Sequence, residues 1–320
     1  MRSYAFAAVF TVFASLLPLV VPEAYLYVIG LAYIFAVIVI SWDLMVGYTG
    51  QVNLGHTTFV GLGAYVAAIL QVPPRIGMHF DVSPFVAILV AGIAAATVGF
   101  AIGIITLRLR GYYFALVTAI LPLVFMQTVY IWRDVFGGEE GFSIGLENAI
   151  ATTVVGRYYV ALFLLVASLL AILAIVNSRV GLRFKAVRDS EELAESLGID
   201  TTKYKVLAFV ISSFFAGISG ATIVHYRVTV SPELYDVPLM LLVILSAVIG
   251  GIGTVFGPLF GGIVVYLAKN WWLRDLIAAL GLPVNDEIVL YTILIAAGIL
   301  MPRGAYAAFS ERLKLYKLRR

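Results

Sequence analysis

Two stretches decide most of what this chain can become. Pro84 to Thr106 runs 23 residues without a charge, and Tyr158 to Val176 runs 19. The hydrocarbon core of a bilayer, about 30 Å thick, is crossed by about 20 apolar residues in a helix. No water reaches backbone polar groups there, so a spanning segment is a helix or part of a closed barrel. Barrel strands alternate over about ten residues, and these runs are too long and too uniform for that. The rest of the chain agrees. Of 320 residues, 62% are hydrophobic and 12% charged, against about 45–50% and 25% in soluble domains. The fold class expected is an all-α polytopic membrane protein.

Apolar runs predict ten segments, at 4–21, 24–46, 57–71, 84–106, 112–131, 157–176, 206–224, 237–249, 258–272 and 288–301. Two are short, so eight to ten cross. Arg2 before an apolar run has the form of a signal peptide, but no small-residue cleavage site follows, and the segment reads as a retained helix. Orientation follows from the basic residues. With the N-terminus inside, fifteen of the 21 Lys and Arg residues fall on inner segments, Arg108 and Arg110 among them, and six on the outer side. Both termini are then cytoplasmic, 177–205 is an inner loop and 132–156 an outer one. Residues 1–302 make one transmembrane domain. The basic tail 303–320 suits anionic lipid headgroups.

Several functions are excluded. There is no cysteine, hence no disulfide and no thiolate metal site. His56, His79 and His225 lack metal-ligand spacing. A net charge of +3, spread over loops and tail, is no nucleic-acid footprint. No Gly-Lys pair occurs, so the phosphate-cradling loop of an ATPase is missing and catalysis is not expected of this chain.

The polar exceptions carry the interest. "GYTGQVNLGH", Gly47 to His56, interrupts two apolar runs. Irregular backbone at membrane depth is tolerated where protein buries it or where it lines a wet cavity, and transporters present broken helices to solute in this way. Tyr48, Gln51, Asn53 and His56 offer neutral donors and acceptors. Two readings stand: a non-helical break on a translocation path, or a cytoplasmic turn packed by glycines. Gly250, Gly253 and Gly257 are spaced much like Gly47, Gly50 and Gly55, as an internal repeat or by coincidence. Asp43 is either an intramembrane functional acid or an interface residue. Arg133, Asp134, Glu139 and Glu140, with Gly137 and Gly138, form a charged outer loop. In the inner loop, Ser190 to Leu197 has helix formers with acids near its start, a stop at Gly198, and Leu193 and Leu197 on one face. It is a docking element or a plain connector.

"ELAESLG" resembles the Glu-Ala-Ala-x-x-x-Gly loop of ABC importer permeases, with Glu192, Ala194 and Gly198 matching and Leu193 replacing the middle alanine. "GYTGQVNLGHTTFVGLGAY", "LRLRGYYFALVT", "GGEEGF", "SPELY", "VIGGIGTVFGPLFGG" and "MPRGAY" likewise resemble the branched-chain amino-acid permeases, LivM-like subunits in particular, in order from about residue 40 to 305. The resemblance implies a permease subunit in the inner membrane that works with a second, LivH-like permease, two ATPase subunits that use ATP and Mg, and an extracytoplasmic solute-binding protein. It implies a coupling helix at Arg188, Asp189, Glu192, Ala194 and Gly198. With the glycine pattern it suggests a solute path at Tyr48, Gly50, Gln51, Asn53, Gly55, His56, Gly250, Gly253 and Gly257. Asn53 stands where the family usually has serine, and Phe136 where it usually has threonine. The substrates implied are therefore leucine, isoleucine and valine, with urea or short amides as the alternative. An ion-coupled secondary transporter, the rival of another class, needs paired intramembrane carboxylates, and only Asp43 qualifies within the first seven segments.

Overall fold

The computed structural model describes residues 2–77, 82–107 and 112–273, and six helical positions between 288 and 296. The segment expected at 288–301 lies largely outside these, as do Arg108, Arg110, His79 and the tail wholly. The chain folds as α1 (Arg2–Leu16), α2 (Glu23–Thr49), α3 (His56–Gln71), α4 (Pro84–Thr106), α5 (Tyr112–Ile131), the one-turn α6 (Arg133–Phe136), α7 (Val154–Val176), α8 (Arg179–Asp189), α9 (Glu191–Ser196), α10 (Thr201–Arg227), α11 (Val237–Gly250) and α12 (Phe256–Leu267). The only sheet among the described residues is a ribbon, β1 (Phe142–Ser143) against β2 (Thr229–Val230), which ties the 132–156 loop to the end of α10.

Five helices, α2, α4, α5, α7 and α10, are long and apolar enough to cross a membrane. The protein is a multi-pass α-helical membrane protein. A helix apolar all round is buried, and α2 is: from Ile29 to Met45 every residue is buried. It packs on α7, α10 and α12, while α10 packs also on α3 and α4. By contrast, α4 turns Phe85, Leu89, Ile93 and Phe100 outward, a face made for lipid. The 14 residues of α11 and 12 of α12 reach about 21 and 18 Å at ~1.5 Å per residue. α12 continues without a break into a π-helical stretch, Ala268–Leu273, and α11 and α12 pack on each other as a hairpin.

The expected boundaries hold closely for α4 and α5. They fall short for α2 and α10, whose ends are polar, because helices continue past the apolar run wherever packing and caps permit. Asp200 caps α10 by accepting from the Lys203 N–H at 2.9 Å, and the helix then runs to Arg227. The inner loop holds two helices where one was expected, split at Ser190, which leaves helical geometry (φ −162°) and caps α9 through the Leu193 N–H.

Candidate coupling site and solute path

The glycine-rich stretch is narrower than its sequence suggests. Gly47, Tyr48 and Thr49 continue α2, and His56 opens α3. The non-helical backbone is 50–55. It begins where Gly50 takes a left-handed conformation, φ +73°. The chain then climbs back along α2 rather than crossing the surface. The Trp42 indole donates to the Asn53 carbonyl at 2.7 Å, and the Ser41 hydroxyl meets His56 Nε2 at 3.0 Å. Trp42 and Ser41 lie seven and eight residues before Thr49, about 11–12 Å up the helix at ~1.5 Å per residue. So α3 starts well above the end of α2. The stretch therefore folds back beside α2, with Asn53 and Gly55 buried and Gly50 and Val52 exposed.

Its polar groups are held from three sides. The Leu54 N–H donates to Thr118 of α5 at 3.1 Å, and the Asn53 side-chain oxygen accepts from the Gly55 N–H at 2.9 Å. Gly55 has no room for a side chain, since a Cβ would strike the Thr118 carbonyl. One layer along α3, Thr57 donates to the Tyr235 carbonyl at 3.3 Å, and Tyr65 stacks on the Tyr235 ring at 5.7 Å. Asn53 Nδ2, His56 Nδ1, Thr58 Oγ1 and Tyr65 OH are buried and make no hydrogen bond within the described residues. At about 100° per residue, His56 and Thr58 lie on opposite faces of α3, with His56 turned to α2 and Tyr65 on the Thr58 side.

The second glycine stretch meets the first. Gly250 ends α11, Gly253 sits in the turn at φ +78°, and Gly257 lies in the first turn of α12. Asp43 of α2, 1% exposed, accepts from the Gly253 N–H at 2.7 Å. A Cβ on Gly47 would come within 2.5 Å of the Gly253 nitrogen, so the two backbones touch only because Gly47 lacks one. The two breaks are nevertheless built differently. The α11–α12 hairpin folds back on itself, whereas α3 leaves α2 to pack on α10 and α4.

The inner loop joins this junction. Arg188, at the end of α8, donates from Nη1 to the Gly47 carbonyl at 2.8 Å and pairs with Asp189 at 3.1 Å. Lys185 lies 5.6 Å over the Tyr48 ring. On α9, Ala194 is buried, while Glu192, Leu193, Leu197 and Gly198 are exposed. Gly198, at φ +81°, stops α9. The buried Lys205 ammonium pairs with Glu191, and Thr201 donates to Glu195 at 2.8 Å, which fixes α9 to the start of α10.

Of the residues singled out from sequence, the structure gathers Gly47, Gly50, Arg188 and Gly253 at one end of α2, with Asn53, Gly55 and His56 a step above. Glu192 and Gly198 point away from them. Gln51 is half-buried. Ser41, Trp42, Thr118 and Tyr235 escaped notice because each partners a residue distant in sequence or follows no motif. Asp43 stands out in the sequence as an acid in an apolar run, whereas its partner Gly253, 210 residues on, carries no local signal of the pairing.

Comparison with known proteins follows the same direction. Residues 24–298 match the family model described as branched-chain amino acid transport system / permease component. The LivM high-affinity branched-chain amino acid permease protein of Escherichia coli (strain K12) is 27% identical over 84% of this chain and 68% of its own. The LivH permease protein of the same organism is 25% identical over 84% of this chain and 90% of its own. Its D-allose permease protein AlsC is 26% identical over 76% and 70%. No solved structure matches. With the family model covering most of the chain, this protein belongs to the branched-chain amino acid transport system permease component family.

Proposed function

We propose that the chain is one permease subunit of an ATP-driven importer of leucine, isoleucine and valine in the cytoplasmic membrane, with both termini on the cytoplasmic side. It pairs with a second, LivH-like permease. One of two ATPase subunits docks on α8 and α9, and the two supply the energy from ATP and Mg. An extracytoplasmic binding protein delivers solute at the opposite end, beside the 132–156 loop. The observation that carries this reading is the Arg188–Gly47 hydrogen bond. It joins the element that resembles a coupling helix to the place where both glycine breaks meet.

The exposed face with Leu193, Leu197 and Glu192 is the ATPase contact. A push on it moves α8, and Arg188 passes that motion to the last turn of α2. The broken backbone at 50–55 and 251–255 is the part able to yield, since few helical hydrogen bonds hold it. Solute passes the polar atoms of Asn53 and His56. These are neutral partners for a zwitterion, and none holds it with a full charge. The names of the LivM and LivH relatives favour branched-chain amino acids.

Co-purification tests the docking half directly. The chain, expressed with a LivH-like permease, two ATPase subunits and a binding protein from the same organism, should retain the ATPases in detergent. Leu193→Asp should release them without lowering the thermal stability of the chain. Retention by Leu193→Asp would remove α9 from the contact.

A further inference from the structure

A groove of about 480 Å³ lies between the end of α4 and the start of α10, beside the joint of α9 and α10. Its walls are Phe100 and Ile104 of α4 and Val206, Leu207 and Val210 of α10, and its mouth carries Asp200, Thr202 and Lys203. The 23 residues of α4 reach about 34 Å at ~1.5 Å per residue, enough to cross a hydrocarbon core of about 30 Å. Ile104 lies in the last turn of α4, and α10 starts at Thr201. The mouth therefore stands at the membrane–water boundary, while Phe100 and Val210 reach into the hydrocarbon.

This face suits lipid better than another helix. Helices that associate in membranes meet on small residues. On α4 those residues are already spent on α10: a Cβ on Gly92, Gly99 or Gly103 would meet Ile218, Ser213 or Phe209. What α4 turns outward here is bulky, with Phe100, Ile104 and Ile105 all exposed.

The mouth adds a chemical preference. Asp200 and Lys203 are both exposed and stand together on the first turn of α10. Asp200 gives one carboxylate oxygen to the Lys203 N–H at 2.9 Å, and neither side chain belongs to an ion pair among the described residues. The first N–H groups of a helix lack partners within it and favour an anion. An anion alone would face the Asp200 carboxylate. A headgroup with a phosphate and a primary ammonium satisfies both charges.

We infer that this groove binds one aminophospholipid of the phosphatidylethanolamine class. Lys203 and the Thr202 hydroxyl take the phosphate, Asp200 takes the ammonium, and one acyl chain lies along Phe100, Ile104, Leu207 and Val210. A choline headgroup offers Asp200 no N–H, and a glycerol headgroup offers it no cation. The site goes beyond the transport reading and does not rest on it. The same turn of α10 is tied to α9 through Thr201–Glu195 and Lys205–Glu191, so the lipid sits against the base of that element.

The test is native mass spectrometry of the purified full chain, titrated with phosphatidylethanolamine, phosphatidylglycerol and phosphatidylcholine of identical acyl chains. The site predicts one saturable phosphatidylethanolamine, held about tenfold more tightly than either other lipid, the scale of one hydrogen bond to a charged group at a solvated mouth. Asp200→Asn keeps a helix cap and should erase the preference over phosphatidylcholine with the thermal midpoint unchanged. Lys203→Gln should weaken phosphatidylethanolamine about tenfold. Phe100→Cys supplies the only cysteine of the variant chain, and a photoreactive label there should capture lipid in the protein's own membrane. Equal affinity for the three lipids, or a preference that neither Asp200→Asn nor Lys203→Gln moves, overturns the assignment. So does capture of a partner subunit, instead of lipid, by the label at position 100.

Discussion

Replacing Arg188 by methionine isolates the link between coupling helix and pathway. The guanidinium donates to the Gly47 carbonyl at 2.8 Å. That carbonyl lies in the last turn of α2, where helical partners run out, and a cation there also favours the helix dipole. A hydrogen bond to a charged group contributes about 1.5–3 kcal/mol. The Arg188 side chain is 37% exposed, which reduces the figure to about 1–1.5 kcal/mol through solvent screening. If the bond exists in one transport state and not the other, its loss shifts their balance about five- to tenfold. Methionine keeps the length of the stem and most of its packing. The assay is leucine transported per ATP hydrolysed in vesicles. Arg188→Met should lower that ratio about five- to tenfold while the ATPases still co-purify, since the exposed Leu193–Leu197 face is untouched. An unchanged ratio refutes the link. Loss of the ATPases would make Arg188 a docking residue instead.

Other perturbations test the neighbouring parts. Gly47→Ala drives a methyl to 2.5 Å from the Gly253 nitrogen and should cost about 1–3 kcal/mol as overpacking, read as a lower thermal midpoint of the purified chain. Glu191→Gln leaves the Lys205 ammonium, 2% exposed, without its counter-charge and should destabilise by about 3 kcal/mol. The double change Glu191→Leu with Lys205→Met should recover most of that midpoint. Glu192→Ala, on an exposed position, should weaken ATPase retention with no change in midpoint; lost uptake with ATPases fully retained would contradict its docking role.

Segment type was legible because it rests on one strong term, the transfer of apolar surface, summed over 20 residues. Pro84 opens α4 where the apolar run begins, and α5 starts and stops where its run does. Ends governed by local polar chemistry were less so. Nothing in "GYT" says helix, yet Gly47 stays helical because the Gly253 backbone packs against it and Arg188 caps it. α8 went unseen because "RVGLRFKAVRD" is too basic for an apolar-run criterion. Its Phe184 and Val187 are buried, Arg179 and Arg183 are exposed, and Arg188 reaches back to the Gly47 carbonyl. The helix formers and early acids of Ser190 to Leu197 located α9, and Ser190 and Gly198 mark its ends as their chemistry suggests, while Arg188 and Asp189 belong to α8. The junction itself could not be read. Asp43, Gly47, Arg188 and Gly253 come from three separate regions of the chain, and only the folded arrangement of α2, α8 and the α11–α12 turn brings them together.

An amino-acid pathway in this chain, driven by ATPases outside it, is tested by the ATPase activity of the complete assembly in lipid vesicles with loaded binding protein, comparing leucine, isoleucine, valine, urea, acetamide and D-allose. Stimulation by the three branched amino acids, with transport of the same solutes, is expected. Stimulation by urea, acetamide or D-allose alone, or uptake by this chain without ATPases along an ion gradient, would contradict it.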